Sequence, residues 1–135
     1  LMGSGRQAVI QRAFVQLHVS RFVGIYFLVL YRRGELPYDF AVKGGIGDIV
    51  VATFAVALIF IPLTQPRLLR LVAIWNIVGL IDILLVVLTA VRLNRADPSQ
   101  LHALTHLPLS LLPTFLVPLI IATHVILFLR LNRQN

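Results

Sequence analysis

The chain has 135 residues and a formal net charge of +7, from 12 lysines and arginines against 5 acidic residues. Hydrophobic residues make up 59% of it and charged residues only 13%, whereas a soluble domain carries roughly 25% charged residues. This composition argues against a soluble domain, and the basic residues, which fall mostly at the ends of apolar runs, argue against a nucleic-acid-binding protein. The chain contains no cysteine, which excludes disulfides and thiolate metal sites.

Four apolar runs of about 20 residues predict the fold class, an all-α integral membrane bundle of four transmembrane helices with a short interfacial helix before the fourth. The predicted spans cover about residues 13–31, 46–63, 72–91 and 107–129. We expect the whole chain to form a single transmembrane helical domain. Residues 1–5, LMGSG, are expected to be an expression remnant or the truncated start of a larger chain.

The first span contains a histidine and an arginine within an otherwise apolar stretch. A span that began after Arg21 would keep only Phe22–Tyr31, about 15 Å of helix against roughly 30 Å of hydrocarbon. The span must therefore include both His18 and Arg21. Because ionisable groups inside a membrane usually face the bundle and pair, we expect an acidic side chain from another span to contact Arg21.

Two carboxylates in later spans are the candidate partners of this arginine. Asp82 falls near the middle of the third span, at about the depth of Arg21, and is the first hypothesis. Asp48 is the competing partner, although its place near the start of the second span also fits a helix N-cap. Asn76 and Gly79 share the face of Asp82. We expect the asparagine to hydrogen-bond across a helix interface and the glycine to allow close approach.

The connection before the fourth span carries a helix start and two histidines. Asp97 followed by Pro98 is typical of an N-cap and a first-turn proline, which predicts a short helix over Pro98–His106. His102 and His106 lie four residues apart, a spacing that can chelate a metal ion on one helix face. The motif lacks a third ligand, and the alternative is a solvated helix at the membrane surface.

The fourth span places His124 at about the same depth as His18 in the first span. Two imidazoles from different helices at one level could hold a haem, a quinone or a pigment. The alternative is that each ring hydrogen-bonds a neighbouring helix. The chain has no phosphate-binding glycine loop, no G-x-S-x-G and no metalloprotease motif, so we expect a non-enzymatic protein.

Four short motifs spread along the chain carry a family resemblance. They are R-F-x-G at Arg21–Gly24, G-x-L-P-x-x-F-A at Gly34–Ala41, G-x-G-D at Gly45–Asp48 and P-T-F-x-V-P at Pro113–Pro118. The pattern resembles that of a group of small, uncharacterised bacterial multi-pass membrane proteins and spans most of the chain. The resemblance implies a location in the bacterial inner membrane, with further helices expected upstream of Leu1, and it implies no activity.

Four crossings put both termini on the same side of the bilayer, and a small excess of lysine and arginine there predicts that this side is cytoplasmic. The first functional hypothesis is a structural or accessory subunit that packs against other membrane subunits or copies of itself, with no nucleic-acid partner. The second is transport or a proton relay through Arg21, Asp48, Asp82 and His124. The third is binding of haem, quinone or pigment through His18 and His124.

Overall fold

The structure is a computed structural model that describes residues 12–60 and 65–133. Within these ranges the chain is helical and contains no strand. Its four long helices are α1 (Arg12–Arg32), α2 (Asp39–Phe60), α3 (Gln65–Ala96) and α4 (Leu112–Asn132), and a short 3₁₀ helix (Pro98–Thr105) connects the last two. All four are long and apolar enough to cross a membrane. The expectations for residues 1–5 and for the end of the second span at 61–63 lie outside the described ranges.

The helix α2 begins earlier than the sequence predicts, at Asp39 rather than near Ile46. Gly44 and Gly45, which are typical of a turn in the sequence, lie inside the helix, whose first turns are π-helical. Asp48 consequently lies nine residues after the start of α2. Its alternative interpretation as a helix N-cap is therefore wrong.

A close contact between the backbones of α1 and α2 explains these glycines. A Cβ atom built on Gly45 would lie 2.8 Å from the carbonyl oxygen of Gly24, which is too close for any side chain. Glycine at both positions lets the two helices touch through their main chains. Gly24 lies one turn after Arg21, and Gly45 lies one turn before Asp48. The contact therefore brings the arginine of α1 against the carboxylate of α2.

The helix α4 begins at Leu112, later than its predicted start at Leu107, and its first turns (Leu112–Leu116) are π-helical. Pro113 and Pro118 lie in and just after this segment. A proline ring offers no backbone N–H and clashes with the carbonyl four residues earlier, and a wider turn relieves that clash. The disturbance that these prolines predict thus takes the form of a π-helical turn.

Two apolar clusters fill the two halves of the bundle. We call the end that holds Arg12 and Asn132 the terminal half, where the Arg130 guanidinium lies 5.4 Å from the centre of the Phe14 ring. Its buried side chains are Val15, Val51, Ala55, Val72, Trp75, Leu127 and Leu131. The other end, the loop half, buries Phe27, Leu30, Leu36, Phe40, Ala41, Ile83, Val86, Leu101, Leu104 and Ile120. The buried polar residues lie between these clusters and inside the terminal half.

The short 3₁₀ helix closes the loop half. As the sequence predicts, Asp97 is its N-cap, and the carboxylate accepts hydrogen bonds from the Ser99 hydroxyl (2.7 Å) and the Ser99 backbone N–H (3.0 Å). These two hydrogen bonds, the hydroxyl first, lower the pKa of Asp97 below its ordinary value. Leu101 and Leu104 are buried in the loop-half cluster, and this burial holds the short helix against α3.

Candidate functional site

Arg21 is completely buried, although its guanidinium carries a permanent charge. Its Nε donates to Asp48 Oδ1 at 2.6 Å, and its Nη2 donates to Asp82 Oδ2 at 2.5 Å. Its Nη1 donates to the backbone carbonyl of Gly79 at 3.1 Å. The arginine of α1 is thus tied to α2 and to α3 by charge-assisted hydrogen bonds, which are the strong class of such bonds. We call Arg21, Asp48 and Asp82 the charged cluster.

The local winding of α1 sets the direction of this arginine. Residues His18–Val23 form 3₁₀ turns, in which side chains three residues apart eclipse each other. His18, Arg21 and Gly24 therefore lie close to one line on the buried face of α1. Because of this 3₁₀ winding, all three residues face the interior of the bundle.

The face of α3 completes the cluster as its spacing predicts. Asn76, Gly79 and Asp82 recur every three residues and all contact residues of other helices. A Cβ atom on Gly79 would lie 2.6 Å from the His124 ring, so this glycine admits the imidazole of α4. Arg21 contacts both of the carboxylates that the sequence analysis treated as competitors. With both ionised, the charged cluster carries a net charge of −1.

The two carboxylates differ in their surroundings. The side chain of Asp48 is only 6% exposed, whereas that of Asp82 is 23% exposed. Asp82 lines a cavity of about 240 Å³ together with Lys43 and Thr89, in the direction of the loop half. Among the described residues, nothing hydrogen-bonds the second carboxylate oxygen of Asp48.

His18 and His124 pack against each other inside the terminal half, with ring centroids 4.1 Å apart and planes tilted by 43°. Asn76 holds the second ring, because its amide nitrogen donates to the His124 carbonyl at 2.9 Å and its amide oxygen lies 2.8 Å from His124 Nδ1. Thr123 holds the first ring through a 3.0 Å contact between its hydroxyl and His18 Nε2. Trp75 packs edge-on against His18 and donates its indole N–H to the carbonyl of Val51 at 3.0 Å.

The hydrogen bonds assign both tautomers. When the hydroxyl hydrogen of Thr123 goes to the carbonyl of Ile120 at 2.8 Å, Thr123 accepts from His18, and we assign the hydrogen of that imidazole to Nε2. The amide oxygen of Asn76 can only accept, so His124 Nδ1 is the donor. The two remaining nitrogens, His18 Nδ1 and His124 Nε2, bear lone pairs and have no partner among the described residues.

The packing of these rings does not fit a metal ion held between them. Metal–nitrogen bonds of about 2.0 Å on opposite sides of an iron or zinc would separate the two nitrogens by about 4 Å and the ring centroids by more. The centroids are only 4.1 Å apart, and Trp75 and Asn76 occupy the surrounding space. The geometry instead matches the alternative, in which each imidazole hydrogen-bonds a neighbouring group.

The histidine pair of the short helix lies far from this network. The rings of His102 and His106 are exposed, with centroids 4.6 Å apart. His106 Nδ1 lies 2.9 Å from the Thr105 hydroxyl. Within residues 12–60 and 65–133, no group of three or more His, Cys, Asp and Glu side chains is placed to hold a metal ion.

An apolar cavity of about 620 Å³ adjoins the charged cluster in the loop half. Arg21 and Asp48 line its inner end, and apolar side chains of all four long helices and of the short helix form the remaining wall. The π-helical start of α4 contributes Leu112 and Leu116 to this wall. The cavity thus lies between the first turns of α4 and the helices α1, α2 and α3 in the loop half.

Sequence reasoning missed the cavity, the role of Thr123 and the burial of Trp75. Trp75 lies near the start of the third predicted span, where its ring is expected at the membrane interface, yet it is buried. Its neighbour Asn76, an amide in an apolar run, was a signal that this part of α3 faces other helices. Thr123 carried a similar signal, since it lies beside His124 in the fourth span.

Comparison with known proteins gives one match. No curated protein and no solved structure matches the chain. A family model described as "Domain of unknown function (DUF8737)" matches residues 2–132. The chain therefore belongs to the DUF8737 family.

Proposed function

We propose that the chain is an integral membrane protein of four spanning helices, a non-enzymatic structural or accessory subunit of a larger membrane assembly or homo-oligomer. The proposal rests above all on Arg21, a fully buried guanidinium whose hydrogen bonds all go to neighbouring helices. The resemblance and the distribution of basic residues favour the bacterial inner membrane, with both termini cytoplasmic and the short helix in the interface.

Helix length and surface chemistry support the location in a bilayer. The 21 residues of α1 correspond to about 31 Å of helix, which matches the roughly 30 Å of bilayer hydrocarbon. Large apolar side chains on all sides of the bundle are exposed, including Phe54 at 59%, Leu88 at 63% and Phe115 at 63%. A soluble monomer rarely exposes so much contiguous apolar surface, whereas lipid solvates it without cost.

The charged cluster suits a structural role. The transfer of an arginine from water into a membrane costs free energy. Partners on two other helices offset that cost only in one arrangement of the helices. The cluster therefore discriminates against shifted registers of α1, α2 and α3. A buried polar group that specifies register is the best-attested use of such groups.

The outward face of α3 supports a partner helix. Six of its nine exposed large side chains recur at alternating spacings of three and four residues, at Leu71, Ile74, Val78, Ile81, Leu85 and Leu88, and Ile77, Leu84 and Val91 are exposed beside them. This is the spacing of a seam that packs against another helix. The helix itself has 32 residues, about 48 Å, and so extends beyond the hydrocarbon. We propose this face as the contact with a neighbouring subunit or a second copy.

The test is the native mass of the protein after gentle extraction from its own membrane. We expect a species larger than the 15.1 kDa single chain. Ile81→Trp on the α3 face should reduce the mass to that of the single chain, because the bulky ring cannot enter a packed seam. Ile25→Trp, at an equally exposed position of α1, is the matched control and should change nothing. A wild-type protein extracted as a single chain without any partner would contradict the subunit role.

A proton relay is the second candidate, and the accessibility of Asp82 favours it. The carboxylate lies between the buried guanidinium and a cavity that leads towards Lys43. Asp48 and His124 would be the further members of this relay. Asp82→Asn should then abolish proton flux into liposomes that contain the protein, and unchanged flux would remove Asp82 from any such path.

A further inference from the structure

The cavity in the loop half has one polar end and an otherwise apolar wall. Arg21 and Asp48 form the polar end near the middle of the bundle, and Val91, Leu104 and Leu112 lie at the opposite end. Its volume of about 620 Å³ falls within the roughly 300–1,000 Å³ typical of small-molecule sites. An apolar wall with a few convergent polar groups is the usual composition of such sites.

We propose that this cavity binds a compact lipophilic molecule that carries one ammonium group, with the ammonium against Asp48 and the apolar body between α3 and α4. The inference is independent of the subunit role, because it concerns the interior of one chain. It rests on three observations: the charge at the polar end, the free oxygen of Asp48 and the depth of that end.

The charge at the polar end favours a cation. Two carboxylates face a single guanidinium, so the charged cluster has a negative charge in excess when both are ionised. Three of the five N–H groups of Arg21 already donate to protein acceptors, and two carboxylates face its single charge, so an anion would meet a cluster that is negative overall. An acid such as a free fatty acid would place its carboxylate against Asp48 and be repelled.

The free oxygen of Asp48 supplies the recognition. One carboxylate oxygen accepts from Arg21, and no described residue hydrogen-bonds the other, although Asp48 is only 4% exposed and lines the cavity. This second oxygen is not among the fully buried unpaired polar atoms and is accessible from the apolar cavity, so a ligand N–H group could donate to it there. An ammonium group would do so through a charge-assisted hydrogen bond, about twice as strong as a neutral one.

The depth of the polar end argues against an ordinary lipid chain. A lipid that entered from the loop half would keep its headgroup at the surface and place its terminal methyl group beside Asp48. The second oxygen of Asp48 would then remain without a donor beside an apolar chain. A compact molecule with its ammonium group at the inner end would pair with Asp48 and place its apolar body against the apolar wall.

The test uses three naphthalene probes of nearly equal shape, added to the full chain in lipid nanodiscs. They are 1-naphthylmethylammonium, the neutral 1-naphthylmethanol and the anion 1-naphthylacetate. We expect saturable binding of the ammonium at one per chain, at least about tenfold tighter than the alcohol, and no saturable binding of the acetate. Asp48→Asn should lower the affinity for the ammonium to that of the alcohol, whereas Asp39→Asn at the exposed end of α2 should leave it unchanged.

A second variant locates the site without touching the charged cluster. Ala90 lines the cavity, and Ala90→Phe should fill it and abolish saturable binding of both the ammonium and the alcohol. Val125→Phe, on the exposed face of α4 and outside both the cavity and the α3 face, is the matched control and should bind like the wild type. Equal affinity for all three probes, tighter binding of the alcohol or the acetate, or full binding to Ala90→Phe would overturn the proposal. If Asp48→Asn does not fold, the probe preference of the wild type and the Ala90→Phe variant still decide it.

Discussion

The two halves of the bundle use the same four helices but pack them differently. In the terminal half, His18, His124 and Trp75 fill the space between α1, α3 and α4, with ring centroids 4.1 to 5.5 Å apart. In the loop half, a cavity of about 620 Å³ separates these helices. The charged cluster lies at the boundary, where it fixes the helices on both sides.

Local features of the helices account for this difference. In the terminal half, Gly79 removes a side chain where the His124 ring packs, so α3 and α4 approach closely. In the loop half, the two prolines of α4 interrupt its regular hydrogen bonds, and its first turns are π-helical. One half thus gains its packing from small residues and polar rings, while the other remains open because α4 is not a regular helix there.

Arg21→Leu should have the largest effect, because it leaves the buried carboxylate of Asp48 and the partly buried carboxylate of Asp82 without a cation. We expect a loss of about 3–5 kcal/mol in the free energy of unfolding, measured in mixed detergent micelles. Arg92→Leu, which breaks the exposed ion pair with Asp39, is the matched control and should change the free energy of unfolding far less, because solvent screens that pair. Equal losses for the two variants would show that the boundary is not held by a buried charge.

Asn76→Leu should weaken the terminal half by about 2–3 kcal/mol in the same measurement. The substitution removes the acceptor of His124 Nδ1–H, and a buried donor without a partner costs about 1–3 kcal/mol; it also removes the hydrogen bond from the amide to the His124 carbonyl. The indole emission of Trp75, the only tryptophan, should shift because its ring packs on His124. A variant as stable as the wild type would mean that the histidine pair does not hold this half together.

Gly79→Ala adds one methyl group to the closely packed terminal half. Its Cβ would meet the His124 ring at 2.6 Å, so the ring or the helix must shift. We expect a loss of about 1–3 kcal/mol in the free energy of unfolding, as for other overpacked cores. No loss would indicate that α3 and α4 are not in close contact at this level.

Ala90→Leu adds three carbon atoms to the loop half, which contains the cavity, and should have the smallest effect on the free energy of unfolding. The side chain lines the cavity, where space is available, so we expect a change of less than about 1 kcal/mol in either direction. A larger loss of unfolding free energy than for Gly79→Ala would indicate that the loop half is packed more tightly than the terminal half. The same unfolding measurement serves for both variants.

Part of this structure could be predicted from the sequence because it depends on one-dimensional patterns. The four long helices follow from four apolar runs, and the N-cap at Asp97 follows from an adjacent proline. The contact between Arg21 and Asp82 follows from counting residues from the same end of two helices. The hydrogen bond of Asn76 across a helix interface follows from its place on the face of Asp82.

Other parts depend on how the helices meet, which local signals do not encode. Gly44 and Gly45 resemble a turn in the sequence, but they lie inside a helix whose backbone touches Gly24. The same signal therefore favoured a helix N-cap for Asp48 over its alternative as a partner of Arg21. The cavity is a property of the spacing between α4 and the other helices, and no single segment of the sequence reveals it.

The most direct test of the buried, paired arginine is a thermodynamic cycle on the charged cluster. It compares the free energies of unfolding of Arg21→Leu, of the double variant Asp48→Leu/Asp82→Leu, and of the variant with all three substitutions. We predict that the triple variant loses less free energy of unfolding than Arg21→Leu and the double variant lose together, by at least about 2 kcal/mol. The reason is that the triple variant leaves no charged residue without a partner. A triple variant whose loss equals that sum would contradict the pairing on which the arrangement of these helices depends.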